Sequence, residues 1–155
     1  MSATFQSEKM GRLLTDLLVR QTTVGTGPKA TIADPMVTAS YAGEDSNLVG
    51  VCVCDLEFAL NCGAALCLIP ASEAANHLKA KRLDPAIFEN FKEVLNICAQ
   101  LFSGASAHRV KLEAVYAPTD AVPDPLKKFM AASKARRDLQ LSINGYGKGK
   151  MTVFC

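Results

Sequence analysis

The chain has 155 residues, 49% of them hydrophobic, which is enough for one core without staples, so a single domain over residues 1–155 is expected. A formal net charge of +2 is too near neutral for a nucleic-acid binder, which gathers Lys and Arg on one face. No stretch approaches the roughly eighteen apolar residues of a membrane span, and MSATFQSEKMGRLL lacks the basic-then-apolar layout of a secretory signal; a soluble, cytoplasmic protein with no membrane partner is expected.

FQSEKMGRLLTDLLVR repeats apolar residues at helical spacing through Met10, Leu13, Leu14, Leu17 and Leu18, predicting a helix over 5–22 that Gly25, Gly27 and Pro28 end. KATIADPMVTASY reads as one or two strands around Asp34-Pro35. NLVGVCVCDLEFALNCGAALCLI reads as a hairpin turning near Asp55-Leu56-Glu57. PASEAANHLKAKR is a short helix after Pro70, and Asp84 as N-cap with Pro85 at the first helical position starts the next, over 85–103, with Gly104 placed to close it. RVKLEAVY alternates as a strand, DPLKKFMAAS is a short helix capped by Asp124, and RRDLQLSI with GKMTVF forms a hairpin across NGYG.

The order helix, strand, then a longer pair of strands occurs before residue 70 and again after residue 84. This predicts an α+β domain built from a duplicated unit, with a largely antiparallel sheet covered by helices. The 5–22 and 85–103 helices belong on one face, related by a pseudo-twofold axis.

Cys52, Cys54, Cys62, Cys67 and Cys98 lie inside apolar runs and read as reduced, buried core residues, with Cys155 free to react at the chain end. VCVC places Cys52 and Cys54 on one strand face, but no CxxC and no nearby His completes a zinc set, so no metal site is expected. The basic stretches HLKAKR and LKKFMAASKARR read as solvated helix faces or loops, with an acidic protein partner as the alternative for them.

FENFKEVLNICAQLF carries the chemistry. At about 100° per residue, Phe91, Leu95, Cys98 and Phe102, flanked by Val94 and Leu101, form the face that packs on the sheet. Glu89, Glu93, Asn96 and Gln100 fall together on the opposite side, an acid-and-amide stripe without Lys or Arg. An amphipathic helix with an ordinary wet face accounts for the same pattern.

The run LNCGAALCLIP, a short helix, then LDPAIFENFKEVLNICAQLFSG and a strand resembles the CheC/CheX/FliY family of chemotaxis phosphatases, whose signature is Glu-x-x-Asn on an exposed helix, here Glu93-Val94-Leu95-Asn96. The resemblance covers most of the chain and implies removal of the phosphoryl group from the aspartate of a phosphorylated, CheY-type response regulator. It implies that Asn96 holds a water in line with the acyl phosphate while Glu93 engages a lysine of the regulator. Glu89, Lys92 and Gln100 are the expected partner contacts around them. No cofactor is expected on this chain, Mg²⁺ being carried by the regulator.

Two features modify the resemblance. The first helix offers Glu8 with Gly11, or Lys9 with Arg12, and no amide, which is the single-motif arrangement of the CheX branch, whose members pair as homodimers. Where family members commonly have small residues after the motif, this chain has ICAQLF, with Gln100 one turn beyond Asn96. Two readings stand: a phosphatase, and a non-catalytic module that docks a regulator or dimerises without hydrolysis.

Overall fold

The computed structural model describes residues 3–30, 36–103 and 109–155. The chain begins with a short strand β1 (Thr4–Phe5) and helix α1 (Ser7–Leu18), followed by strands β2 (Thr22–Thr26), β3 (Val37–Ala42) and β4 (Leu48–Cys54). Helices α2 (Leu56–Leu66), α3 (Ala71–Lys79) and α4 (Pro85–Ile97) come next, then a 3-10 turn over Cys98–Leu101. Strands β5 (Phe102–Ser103) and β6 (Lys111–Tyr116), helix α5 (Asp124–Ala132) and the hairpin β7 (Arg136–Ile143) and β8 (Gly147–Phe154) complete the chain.

Six strands form one sheet in the order β2-β7-β8-β4-β3-β6, every pairing antiparallel, and β1 pairs with β5 apart from it. The duplication is written in that order. Exchanging β2 with β6, β3 with β7 and β4 with β8 turns it into its own reverse, so the halves α1-β2-β3-β4 and α4-β6-β7-β8 meet at the central β4–β8 pair about a pseudo-twofold. The expected architecture is the one found.

Alternation along the central strands sorts the two faces. Cys52 and Cys54 of β4 and Met151 and Val153 of β8 face a core completed by Met10 and Leu14 of α1, Phe58 of α2, and Phe91 and Leu95 of α4. Val51, Val53 and Phe154 face the other way and are covered by Leu126 of α5. Helices α1, α2 and α4 therefore share one face of the sheet.

Several elements differ from their sequence reading, each for a local reason. The first helix ends at Leu18 rather than near residue 22, closed by Val19 in a left-handed conformation (φ 53°), and Thr22–Thr26 is a strand. Its β-branched residues suit a pleated edge better than a helix. The part of the one or two expected strands around Asp34-Pro35 that falls on residues 31–35, and the expected helix end at Gly104, lie outside the described residues.

The largest correction concerns the expected hairpin at Asp55-Leu56-Glu57. That segment starts α2, with Asp55 as N-cap accepting a 2.8 Å bond from the Phe58 N–H. Residues Phe58 to Ala65 are all buried, so no polar face breaks the run and the helical period is invisible. Two glycines permit the burial. A Cβ on Gly149 would stand 2.3 Å from Phe58 Cβ, and one on Gly63 would stand 2.5 Å from the Ile87 carbonyl oxygen, so α2 lies hard against β8 and α4.

Asp124 is not the cap of α5: it is the first helical residue, the cap position is Pro123, and no side chain caps that end. The charge of Asp124 still complements the helix dipole there.

Candidate functional site

The site is built on α4. Asp84 accepts from the N–H groups of Ala86 (3.1 Å) and Ile87 (3.2 Å), and Pro85 occupies the first turn, so the helix starts where the sequence says it should. Ile87, Phe91, Val94 and Leu95 are buried, which turns Glu89, Glu93 and Asn96 outward into solvent. The regular helix stops at Ile97, short of the expected 103, and tightens into the 3-10 turn that carries Gln100, also exposed. Phe102, expected on the buried helix face, is buried from β5 instead, its ring 4.7 Å from that of Tyr41 and 5.0 Å from that of Phe5.

One buried bond anchors the last turn of the helix. The Tyr41 hydroxyl donates to the Leu95 carbonyl at 2.7 Å, tying α4 to β3 at the residue before Asn96. Burial pushes that phenol well above its ordinary value, with the neighbouring Cys52, Cys98 and Cys54 adding to the shift, so Tyr41 stays a neutral donor.

The outward side chains divide by engagement. Lys92 is bonded to Glu89 at 2.9 Å and its ammonium lies 4.6 Å from the centre of the Phe88 ring; Asn90 donates to the Ala86 carbonyl at 2.9 Å. Among the described residues, the side chains of Glu93 and Asn96 have no hydrogen-bond or ion-pair partner. The two motif residues are thus available to an external group, while Glu89 and Lys92 satisfy each other.

Asn96 and Gln100 also line a shallow cavity of about 450 Å³ with Ala99, Phe102, Arg109 and Lys111. Glu89, Glu93 and Lys92 are not in its wall. Arg109 and Lys111 escaped the sequence reading because they belong to another segment, brought beside α4 by β6; nothing local in RVKLEAVY marks them.

The first half has no equivalent site. Matching the buried Met10 and Leu14 of α1 to Phe91 and Leu95 of α4 puts Arg12 and Thr15 where Glu93 and Asn96 stand. Thr15 is occupied, its hydroxyl donating to the Gly11 carbonyl at 2.7 Å and accepting from the Thr22 N–H at 3.0 Å. By this register, too, α1 supplies no amide.

Burial pushes the Cys98 thiol, behind α4, up to about 12, and lifts Cys52, Cys54 and Cys62 well above the usual thiol range. Cys67 departs from the buried set: it is half-exposed at the end of α2, its sulfur 3.2 Å from the Gly63 carbonyl. Among the described residues, no three His, Cys, Asp or Glu side chains converge as a metal site, and no helix is long and apolar enough to cross a membrane.

No family model matches the sequence, and no curated protein matches it. Solved structures do. FliM from Helicobacter pylori, in its complex with SpeE, aligns with a TM-score of 0.62 at 9% identity over 96% of this chain and 80% of that one. The FliM middle domain of Vibrio alginolyticus aligns at 0.58 and 9% identity over 97% and 90% of the two chains. FliY from Thermotoga maritima aligns at 0.52 and 13% identity over 96% and 83%. With so little identity the likeness is one of fold: the chain has the fold of FliY and of the FliM middle domain.

Proposed function

We propose that this protein is a phosphatase for the aspartyl phosphate of a CheY-type response-regulator receiver domain, in chemotaxis or two-component signalling. The observation that carries the reading is the pair Glu93 and Asn96, exposed on one helix face and without partners among the described residues. An acyl phosphate is already reactive, and the regulator brings its own Mg²⁺ and lysine, so the phosphatase has to contribute mainly position. The Asn96 carboxamide can accept a hydrogen bond from water through its oxygen and donate one through its nitrogen to a phosphoryl oxygen, without changing charge, so the water's protons stay with the phosphate that leaves. Water attacks phosphorus, the bond to the aspartyl oxygen breaks, and the aspartate leaves as a carboxylate. Glu93 forms the ion pair with the regulator's lysine, with Glu89, Lys92 and Gln100 around the contact.

The test mixes phosphorylated receiver domains from the same genome, in Mg²⁺, with this protein and follows phosphate release. Asn96→Ala is expected to lower the stimulated rate about a hundredfold, the scale of losing one positioning group. Glu93→Ala is expected mainly to weaken the encounter. A receiver that binds but decays at its unassisted rate would replace the enzyme by a docking module. Gln100, which shares a cavity wall with Asn96 one turn away, is the residue that favours that second reading. The homodimer of the single-motif branch is part of the proposal and is measured by sedimentation equilibrium.

A further inference from the structure

We propose that the cavity between Asn96 and Arg109 is an anion subsite that takes a phosphoryl group, with the Arg109 guanidinium as its cationic wall. The preference for an anion rests on the cavity itself; its assignment to a phosphoryl group rests on the phosphatase reading above. Among the described residues, the polar side chains of the wall are two carboxamides, Asn96 and Gln100, and two cations, Arg109 and Lys111, with no carboxylate. All four are donors to an oxyanion. Buried Ala99 and Phe102 form an apolar part of the wall, which strengthens charge-assisted bonds made above it.

Among the described residues, the ion-pair contact of Arg109 is a weak one. Its contact with Glu44 is 3.9 Å long, between side chains 78% and 63% exposed, too long for a hydrogen bond and worth little in water. A guanidinium presents several N–H groups in a planar fork that matches two phosphate oxygens, which an ammonium does not. Asn96 belongs both to the motif and to this wall, so an oxyanion held by Arg109 would lie beside the amide that positions water. In a loose phosphoryl-transfer transition state the charge spreads over the three equatorial oxygens, and a guanidinium beside one of them would stabilise it.

The test uses the ¹⁵N-labelled full chain titrated with inorganic phosphate, with chloride at equal ionic strength as the control. Saturable shifts of the Asn96 and Gln100 side-chain amides and of the Arg109 Nε–H are expected. Arg109→Ala is expected to weaken binding about tenfold, the size of one charge-assisted hydrogen bond. Arg109→Lys should fall between, keeping the charge and losing the fork. Shifts that are absent, reproduced by chloride, or unchanged in Arg109→Ala overturn the subsite.

The receiver arm separates the two claims. Phosphate binding through Arg109, with no receiver dephosphorylated, supports the subsite and removes the phosphatase reading. A receiver dephosphorylated equally fast by wild type and Arg109→Ala, with phosphate moving no signal, removes the subsite and leaves the phosphatase.

Discussion

Asn96 owes its position to neighbours that face inward. Because Leu95 and Val94 are buried and the Asn96 amide is in solvent, Asn96→Ala should change stability by no more than about 0.5 kcal/mol, so any loss of activity is chemical. Thermal unfolding of wild type and variant checks this: a large drop in Tm would mean that the amide holds the fold. Gln100→Ala, also at an exposed position, is expected to change receiver binding modestly and stability hardly at all. The thiols give a second residue-scale prediction. Cys52, Cys54, Cys62 and Cys98 should resist a thiol reagent in the native protein, and Cys67 and Cys155, both half-exposed, should label first. Burial also raises the Cys155 thiol, which should slow its labelling at neutral pH. Mass mapping after a short pulse decides it.

The elements are held in place by a few polar bonds whose loss would be specific. Tyr41→Phe leaves the Leu95 carbonyl without its hydroxyl donor and should cost about 1 kcal/mol. Because that bond sits one residue from Asn96, the variant should lose more dephosphorylation than receiver affinity; an equal loss of both would argue that Tyr41 is structural only. On the other half, Asp138 of β7 bonds Arg136 at 3.0 Å, the Ala30 N–H at 3.1 Å and the Thr152 hydroxyl at 3.0 Å. Burial alone would raise this carboxyl, but those bonds and the Arg136 charge outweigh it and hold it below the ordinary value. The unfolded chain then binds that proton more tightly than the folded one. Stability from this group is complete above the unfolded value of about 3.9 and is lost as pH falls through the lower folded value. Urea titrations at acid pH should show the decline in wild type and a shallower one in Asp138→Asn.

For the molecule as a whole, the main core draws Met10 and Leu14 from the first half and Phe91 and Leu95 from the second, so neither half closes a core alone. Unfolding in urea should be one transition, with far-ultraviolet and aromatic signals coincident. Phe91 meets Phe58 edge-on at 5.4 Å between ring centres, and Phe91→Ala should cost about 3–5 kcal/mol while keeping the transition single. Two separated transitions would mean that the duplicated units retain independent stability. A fragment ending after α2 is expected to remain unfolded, since its buried helix would lose the α4 surface on which Gly63 packs.

Local pattern by itself determined the amphipathic elements and the motif. The Asp84-Pro85 start, the inward face of α4, the NGYG hairpin and the exposed Glu93–Asn96 pair all follow from spacing and capping, because a helix with one wet side displays its period. Where an element is wet on no side, the period vanishes. Segment 56–66 reads as strand for that reason, although Asp55 at its start and the Ala-rich run are the signals that would have marked a helix. Tertiary structure alone decided what sits opposite the motif: β6 brings Arg109 and Lys111 beside Asn96, and β3 brings the Tyr41 hydroxyl to Leu95. Such meetings depend on strand order and sheet register, which no local spacing encodes, since each segment is stable as a strand whichever neighbour it pairs with.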